Sequence, residues 1–189
     1  MYTKFLLPRC LIALFFEVGI VLGQTQTIAD LQKQAAQGDA KAEFQLGFAY
    51  YNGDRVPQDY NQSVLWLRRS SEQGFASAQT LLGEMYREGI GVAQDDGQAV
   101  LWVRKAAEQG EATAEGGLGE MYLYGTGVLR DYGQALIWLT KSADQGVAFA
   151  QTDLGLMYKL GQGTTADTDQ AIRCFGRPPT KALRRQRPT

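Results

Sequence analysis

The sequence predicts an all-α fold: a right-handed α-α superhelix, or solenoid, of 36-residue helix-turn-helix units. Three observations carry the prediction. Residues 82–110, "LGEMYREGIGVAQDDGQAVLWVRKAAEQG", and 118–146, "LGEMYLYGTGVLRDYGQALIWLTKSADQG", are identical at 17 of 29 positions with a constant offset of 36. Apolar residues recur at helical spacing, as in Ala42, Leu46 and Tyr50, whereas no segment sustains the period-two alternation of a strand. Helix starters and stoppers fall at the same phase in every copy. A fixed period of a few tens of residues marks a stacked array, because one such unit cannot bury its apolar stripe alone.

The first element is a leader. Residues 1–23, "MYTKFLLPRCLIALFFEVGIVLG", have a basic start and an apolar run, and Val21 and Gly23 are small enough to flank a cleavage site before Gln24. This is the pattern of a secretory signal peptide. The alternative is an uncleaved membrane anchor, which Glu17 inside the apolar run disfavours. The sequence "LPRC" lacks the small residues expected ahead of a lipid-modified Cys10.

Residues 24–41 hold an N-terminal capping helix, with "IADLQKQAAQG" reading as an unpaired second helix of a unit. Repeats then occupy 42–77, 78–113 and 114–149, with a partial fourth at 150–175. In each, a first helix (helix A) carries the Ala, Leu and Tyr stripe and stops at Gly53, Gly89, Gly125 or Gly161. A glycine inside helix A, at 47, 83, 119 and 155, costs up to ~1 kcal/mol in propensity, so its recurrence predicts a backbone approach that a side chain would block. The second helix (helix B) starts at Asp-x-x-Gln in all four copies: "DYNQ", "DDGQ", "DYGQ" and "DTDQ". The Asp caps free N–H groups, and the Gln is placed to reach back to the cap's own N–H. Small pairs such as Ser70-Ser71 and Ala106-Ala107 thin the end of helix B against the Trp and Tyr columns.

The pattern stops after Phe175. Residues 176–189, "GRPPTKALRRQRPT", place Pro178 and Pro179 where helix B would continue. This basic, Pro-rich tail is read as disordered and as an interruption of the array in preference to a functional tail for anionic surfaces. A terminal unit without a polar cap predicts a homodimer through that end, or fraying over 150–175.

Composition narrows the chemistry. There is no histidine, which removes His-dependent general bases, nucleophile pairs and imidazole metal ligands. With Cys10 in the leader, Cys174 is the one thiol of the mature chain, so no internal disulfide is expected. The formal charge of −1 divides into +1 for 1–23, +5 for 176–189 and −7 between them. An acidic body argues against nucleic acid as a partner. Asp95, Asp96 and Asp131 sit where caps belong, "GIGV" and "GTGV" lack the further features of a phosphate loop, and no serine begins an S-x-x-K. The sequon "NQS" at 61–63 matters only in a eukaryotic secretory pathway, and its Ser63 occupies a packing column. No catalytic residue, cofactor site or metal site is expected.

"LGEMYREGIGVAQDDGQAVLWVRKAAEQG" also resembles the Sel-one-like repeat, a relative of the tetratricopeptide repeat, whose pattern is matched almost throughout at 78–113 and 114–149. The copy at 42–77 departs in its loop, where Arg55 replaces a Gly. The resemblance implies a scaffold or adaptor that holds a protein or peptide on its concave face, in the cell envelope or secreted space. Membrane contact enters only through an uncleaved leader. The alternative, β-lactamase or penicillin-binding activity linked to cysteine-rich relatives, lacks support here, since the repeats carry no paired cysteines and no Ser-Lys dyad. Residues shared by all copies build the frame, so specificity belongs to helix A positions that differ between copies. These are Phe44, Phe48 and Tyr51; Thr80, Glu84 and Arg87; Glu120, Leu123 and Tyr124; and Leu156 and Lys159. Phe48, Tyr51, Glu84, Arg87, Glu120 and Tyr124 are the candidate partner-binding residues.

Overall fold

The computed structural model describes residues 27–176, and the expected leader and the tail from 177 onward lie outside them. Nine helices and no strand occur among the described residues: α1 (Ile28–Ala36), α2 (Ala40–Asn52), α3 (Tyr60–Glu72), α4 (Ala76–Glu88), α5 (Asp96–Glu108), α6 (Ala112–Tyr124), α7 (Tyr132–Asp144), α8 (Ala148–Leu160) and α9 (Thr168–Phe175). Helices α2, α4, α6 and α8 are the A helices, and α3, α5, α7 and α9 follow them as B helices. Each packs on its neighbours in chain order, and α6 also touches α8, so the chain is a helical solenoid. None of these helices is long and apolar enough to cross a membrane.

The B helices begin as their sequences dictate, with one difference. Asp59, Asp95, Asp131 and Asp167 are extended N-caps whose side chains accept from the backbone N–H of the Gln three residues on. The expected return bond from the Gln side chain is replaced. The cap's own N–H donates instead to the carbonyl of a helix A tyrosine, as in Asp95 to Tyr86 at 2.9 Å and Asp131 to Tyr122 at 2.9 Å. The reciprocal box does form at α1, where Thr27 and Asp30 satisfy each other's N–H groups. A tertiary bond has taken the donor that a local one would have used.

The helix A glycines sit where two helices meet most closely. A Cβ on Gly83 would lie 2.6 Å from Val103 Cγ2, and one on Gly119 would lie 2.7 Å from Leu139 Cγ and 3.0 Å from the Leu139 nitrogen. The second loop glycine has left-handed backbone, φ 69° at Gly91, and crowds the first residue of the preceding B helix, Tyr60. Arg55 takes the same conformation at φ 61°. An L-residue there costs about 1–2 kcal/mol. Helix α1, which precedes that loop, begins only at Ile28, four positions later in phase than α3.

Four apolar clusters follow the units along the chain. Leu46, Leu82 and Leu118 have no exposed surface, and each such burial contributes about 1.5–3 kcal/mol. A polar seam runs beside these clusters. The glutamine ending each of α3, α5 and α7 reaches back thirty residues to its helix A: Gln73 donates to Glu43 at 2.6 Å, Gln109 to Gln79 at 2.8 Å and Gln145 to Glu115 at 2.7 Å. Ser70 and Ser142 donate to the carbonyls of Ala40 and Ala112 at the same spacing. Burial pushes the Glu43 and Glu115 carboxyls up, and the Gln donors oppose that shift.

Candidate functional site

The candidate residues fall on one layer, the A helices, and most of them adjoin. At the N-terminal end, Phe44 lies against Phe48 with centroids 5.9 Å apart and against Phe75 at 5.2 Å. Tyr51, one turn beyond Phe48, meets the Tyr60 ring edge-on at 5.6 Å. Burial pushes the Tyr51 hydroxyl up, reinforced by Tyr60 and by the charges of Glu84 and Glu88, so this aromatic corner borders the acidic residues of α4.

On α4, Arg87 pairs with Glu84 at 2.5 Å and with Glu88 at 3.3 Å. The first bond is the i, i+3 pairing that helix geometry favours. Glu84 and Arg87 are both largely buried, so the pair is a fixed feature of the layer rather than a solvated surface contact. Burial raises the Glu84 carboxyl and Arg87 draws it down. Glu120 on α6 occupies Glu84's position one unit on and neighbours Asp153 on α8. Burial first, then Asp153, push Glu120 up to about 8. Tyr124 ends α6 with its ring largely exposed. The layer thus passes from aromatic, through a charged centre, to exposed Leu156 and Lys159 on α8.

Two of the varied helix A positions prove to be frame. Thr80 is buried, donating to the Ala76 carbonyl at 3.0 Å and to Glu111 at 3.1 Å. Leu123 is buried in the cluster that includes Leu139 and Leu154. Both lie on the side of helix A that the following unit covers. Asp153 escaped notice because its column reads Gln45, Leu81, Gly117 and Asp153, with no common chemistry. Its importance comes from the carboxyl one unit before it.

The Trp column is more exposed than a core column would be. Trp102 is buried, but Trp66 and Trp138 are only half-buried, and each ring carries a cation from the next turn: Arg69 at 4.8 Å, Lys105 at 4.3 Å and Lys141 at 4.1 Å. These i, i+3 pairs cover the indole faces with aliphatic stem and charge. Cys174 is a half-buried thiol packed among the residues of the last cluster. No group of three or more potential metal-ligating side chains occurs among the described residues.

A repeated frame with varied chemistry along one layer defines a class, the helical repeat scaffold. The chain belongs to the Sel1 repeat family, whose model matches residues 40–75, 76–111, 112–147 and 148–177. Each match begins on the first residue of an A helix, two residues ahead of the divisions drawn from the sequence columns. Among solved structures, the chain is similar to a protective antigen of uropathogenic Escherichia coli strains displaying an SLR fold, with 36% identity and a TM-score of 0.76 over 85% of this chain and 34% of that one. It is also similar to a Sel1 repeat protein from Oxalobacter formigenes, with 33% identity and a TM-score of 0.74 over 78% of this chain and 59% of that one. Helicobacter pylori cysteine rich protein B shares the fold at 23% identity and a TM-score of 0.52, over 68% of this chain and 97% of that one. The chain spans about a third of the Escherichia coli protein's length and under two thirds of the Oxalobacter protein's. No curated protein matches its sequence. Sel1 repeat proteins commonly serve as protein-interaction scaffolds, and the family is generally non-enzymatic.

Proposed function

We propose that the protein is a non-catalytic interaction scaffold of the cell envelope or secreted space, which binds a protein or peptide on the layer formed by its A helices. One observation carries the reading: at matching positions of an otherwise repeated frame the layer changes chemistry from unit to unit. Phe48, Glu84, Glu120 and Leu156 share one position, and Tyr51, Arg87 and Lys159 share another, whose remaining member, Leu123, is buried as frame. Aromatic and arginine side chains presented together are the residues that anchor interfaces, and an extended or helical segment could read them in sequence.

The test is cross-linked capture from the native envelope fraction with the wild-type chain and with a variant carrying Glu84→Gln, Arg87→Gln and Tyr124→Ser. A partner captured by the wild type and lost with the triple variant supports the reading. Equal capture by both refutes it. Purified protein should turn over nitrocefin no faster than a heat-denatured control, and clear turnover would overturn the non-catalytic part. Export predicts a mature N-terminus at Gln24, and a mature start at Met1 would refute cleavage.

The C-terminal end supports a homodimer as a second contact. Ile172 is 62% exposed, although Val64 and Val100 in its column are 8% and 7% exposed. Phe175 is 50% exposed, where Leu67, Val103 and Leu139 are fully buried. Positions covered by a following unit elsewhere in the array are open here, and α1 at the opposite end shows solvent mainly polar residues such as Gln32 and Lys33. A second copy docked by the same end would cover the apolar residues symmetrically.

A further inference from the structure

The exposed side of the B helices repeats where that of the A helices varies. Leu65 is 44% exposed, Leu101 45% and Ile137 49%, and the three share one column. Their neighbours already supply the packing: Val64 and Leu67 in α3, and Val100 and Val103 in α5, are buried. One turn on, Arg69, Lys105 and Lys141 are exposed and lie over the indoles of Trp66, Trp102 and Trp138. Residues four apart share a helix face, so each of these B helices sets an aliphatic side chain beside a cation. One turn before, Asn61, Gly97 and Gly133 are exposed and uncharged. In α9 the column becomes Arg173, which ends the apolar row after three units.

The spacing of the row selects its partner. Helix α6 touches α8, so each unit advances the array by one helix separation, ~10 Å. Seven residues of an α-helix rise ~10.5 Å and return to the same face. Three residues of a strand rise ~10 Å but end on the opposite face. A polyproline helix rises ~9 Å per turn but docks on aromatic faces, and here cations cover the indoles. The cations also set the sign of the partner's charge. A further turn on, Glu72, Glu108 and Asp144 form an acidic row, so acids on a partner fit only close beside its apolar residues.

We propose that the B helices dock an amphipathic helix of a partner protein, laid across α3, α5 and α7, with apolar residues seven apart and acidic residues flanking them. Leu65, Leu101 and Ile137 bury its apolar residues, and Arg69, Lys105 and Lys141 meet its acids. This surface lies apart from the A layer and leaves that layer open to a partner of its own.

The test is fluorescence anisotropy of the full chain with a labelled synthetic helix of alanine and glutamine. It carries three leucines seven residues apart, each flanked by glutamate. The wild type should bind this peptide, and should bind a version with lysine for glutamate at least roughly tenfold more weakly. Leu101→Asp should weaken binding roughly tenfold, the loss expected when one half-exposed leucine no longer buries its surface. Lys105→Glu, an exposed substitution that spares the core, should weaken binding of the glutamate peptide and strengthen that of the lysine peptide. Leucines placed five residues apart should abolish binding. The variant carrying Glu84→Gln, Arg87→Gln and Tyr124→Ser should bind as the wild type does, which separates this surface from the A layer. No binding by the wild type, equal binding by Leu101→Asp, no preference between the two peptides, or loss of binding in the A-layer variant overturns the proposal.

Discussion

Two glycines of α6, two residues apart, should respond in opposite directions to the same substitution. A Cβ on Gly119 would lie 2.7 Å from Leu139 Cγ and 3.0 Å from the Leu139 backbone nitrogen. To reach an ordinary contact of ~3.5–4.0 Å, α6 and α7 must separate by about 1 Å, and Leu139, now fully buried, must shift with them. Overpacking of this kind costs ~1–3 kcal/mol, against a gain in helix propensity of up to ~1 kcal/mol. Gly119→Ala should therefore lose about 1–2 kcal/mol and lower the thermal midpoint by roughly 3–6 °C for a chain of this size. A Cβ on Gly117 meets nothing closer than Val103 Cγ1 at 3.6 Å and Glu84 Oε1 at 3.8 Å. Gly117→Ala keeps the propensity gain and should raise stability by up to ~1 kcal/mol. Urea denaturation followed by circular dichroism measures both, with an unchanged m-value confirming that the folded and unfolded states stay comparable. If Gly119→Ala proves as stable as Gly117→Ala, close helix approach is not the reason for the repeated glycine.

Three further measurements test separate parts of the frame. Ser71 Oγ is buried without a hydrogen-bond partner, and its column continues as Ala107 and Ala143, so Ser71→Ala should stabilise the protein by about 1 kcal/mol in the same denaturation assay. Asp131→Ala removes an N-cap and should cost about 1 kcal/mol, whereas Gln134→Ala should cost less than ~0.5 kcal/mol because Tyr122, not Gln134, takes the cap's N–H. Sedimentation velocity should show a concentration-dependent dimer that Ile172→Glu abolishes without changing the circular dichroism spectrum, and a wild type that stays monomeric at high micromolar concentration would dispose of the C-terminal contact.

The frame was readable because its determinants are local and repeated. Asp caps, Gly stops and the Ala-Leu-Tyr stripe act within a turn or two of helix, and four copies in phase separate them from chance. The candidate face was readable only in part. Tyr51, Glu84, Arg87 and Glu120 came together because varied positions on successive A helices share a layer. Thr80 and Leu123 were misplaced because variation between copies also occurs where a unit meets its successor, and a single-helix pattern does not show which side that is. Asp153 and the half-exposed tryptophans depend on partners thirty or more residues away, or on a cation one turn away, rather than on a column of like residues. The seam of glutamines was visible in principle: Gln37, Gln73, Gln109 and Gln145 are invariant, and positions 43, 79, 115 and 151 are always Glu or Gln.

The bond from each B-helix cap to a helix A tyrosine has a consequence for how such a chain can change. Tyr50 to Asp59, Tyr86 to Asp95, Tyr122 to Asp131 and Tyr158 to Asp167 close loops of identical length. An added or deleted residue in any of them would shift every later side chain out of step with the layer it belongs to. Novelty is therefore confined to exchanging side chains at fixed addresses, each given by a unit number and a phase. A partner evolves against that grid much as a key is cut against pins of constant pitch: the spacing is inherited, and only the heights are free to vary.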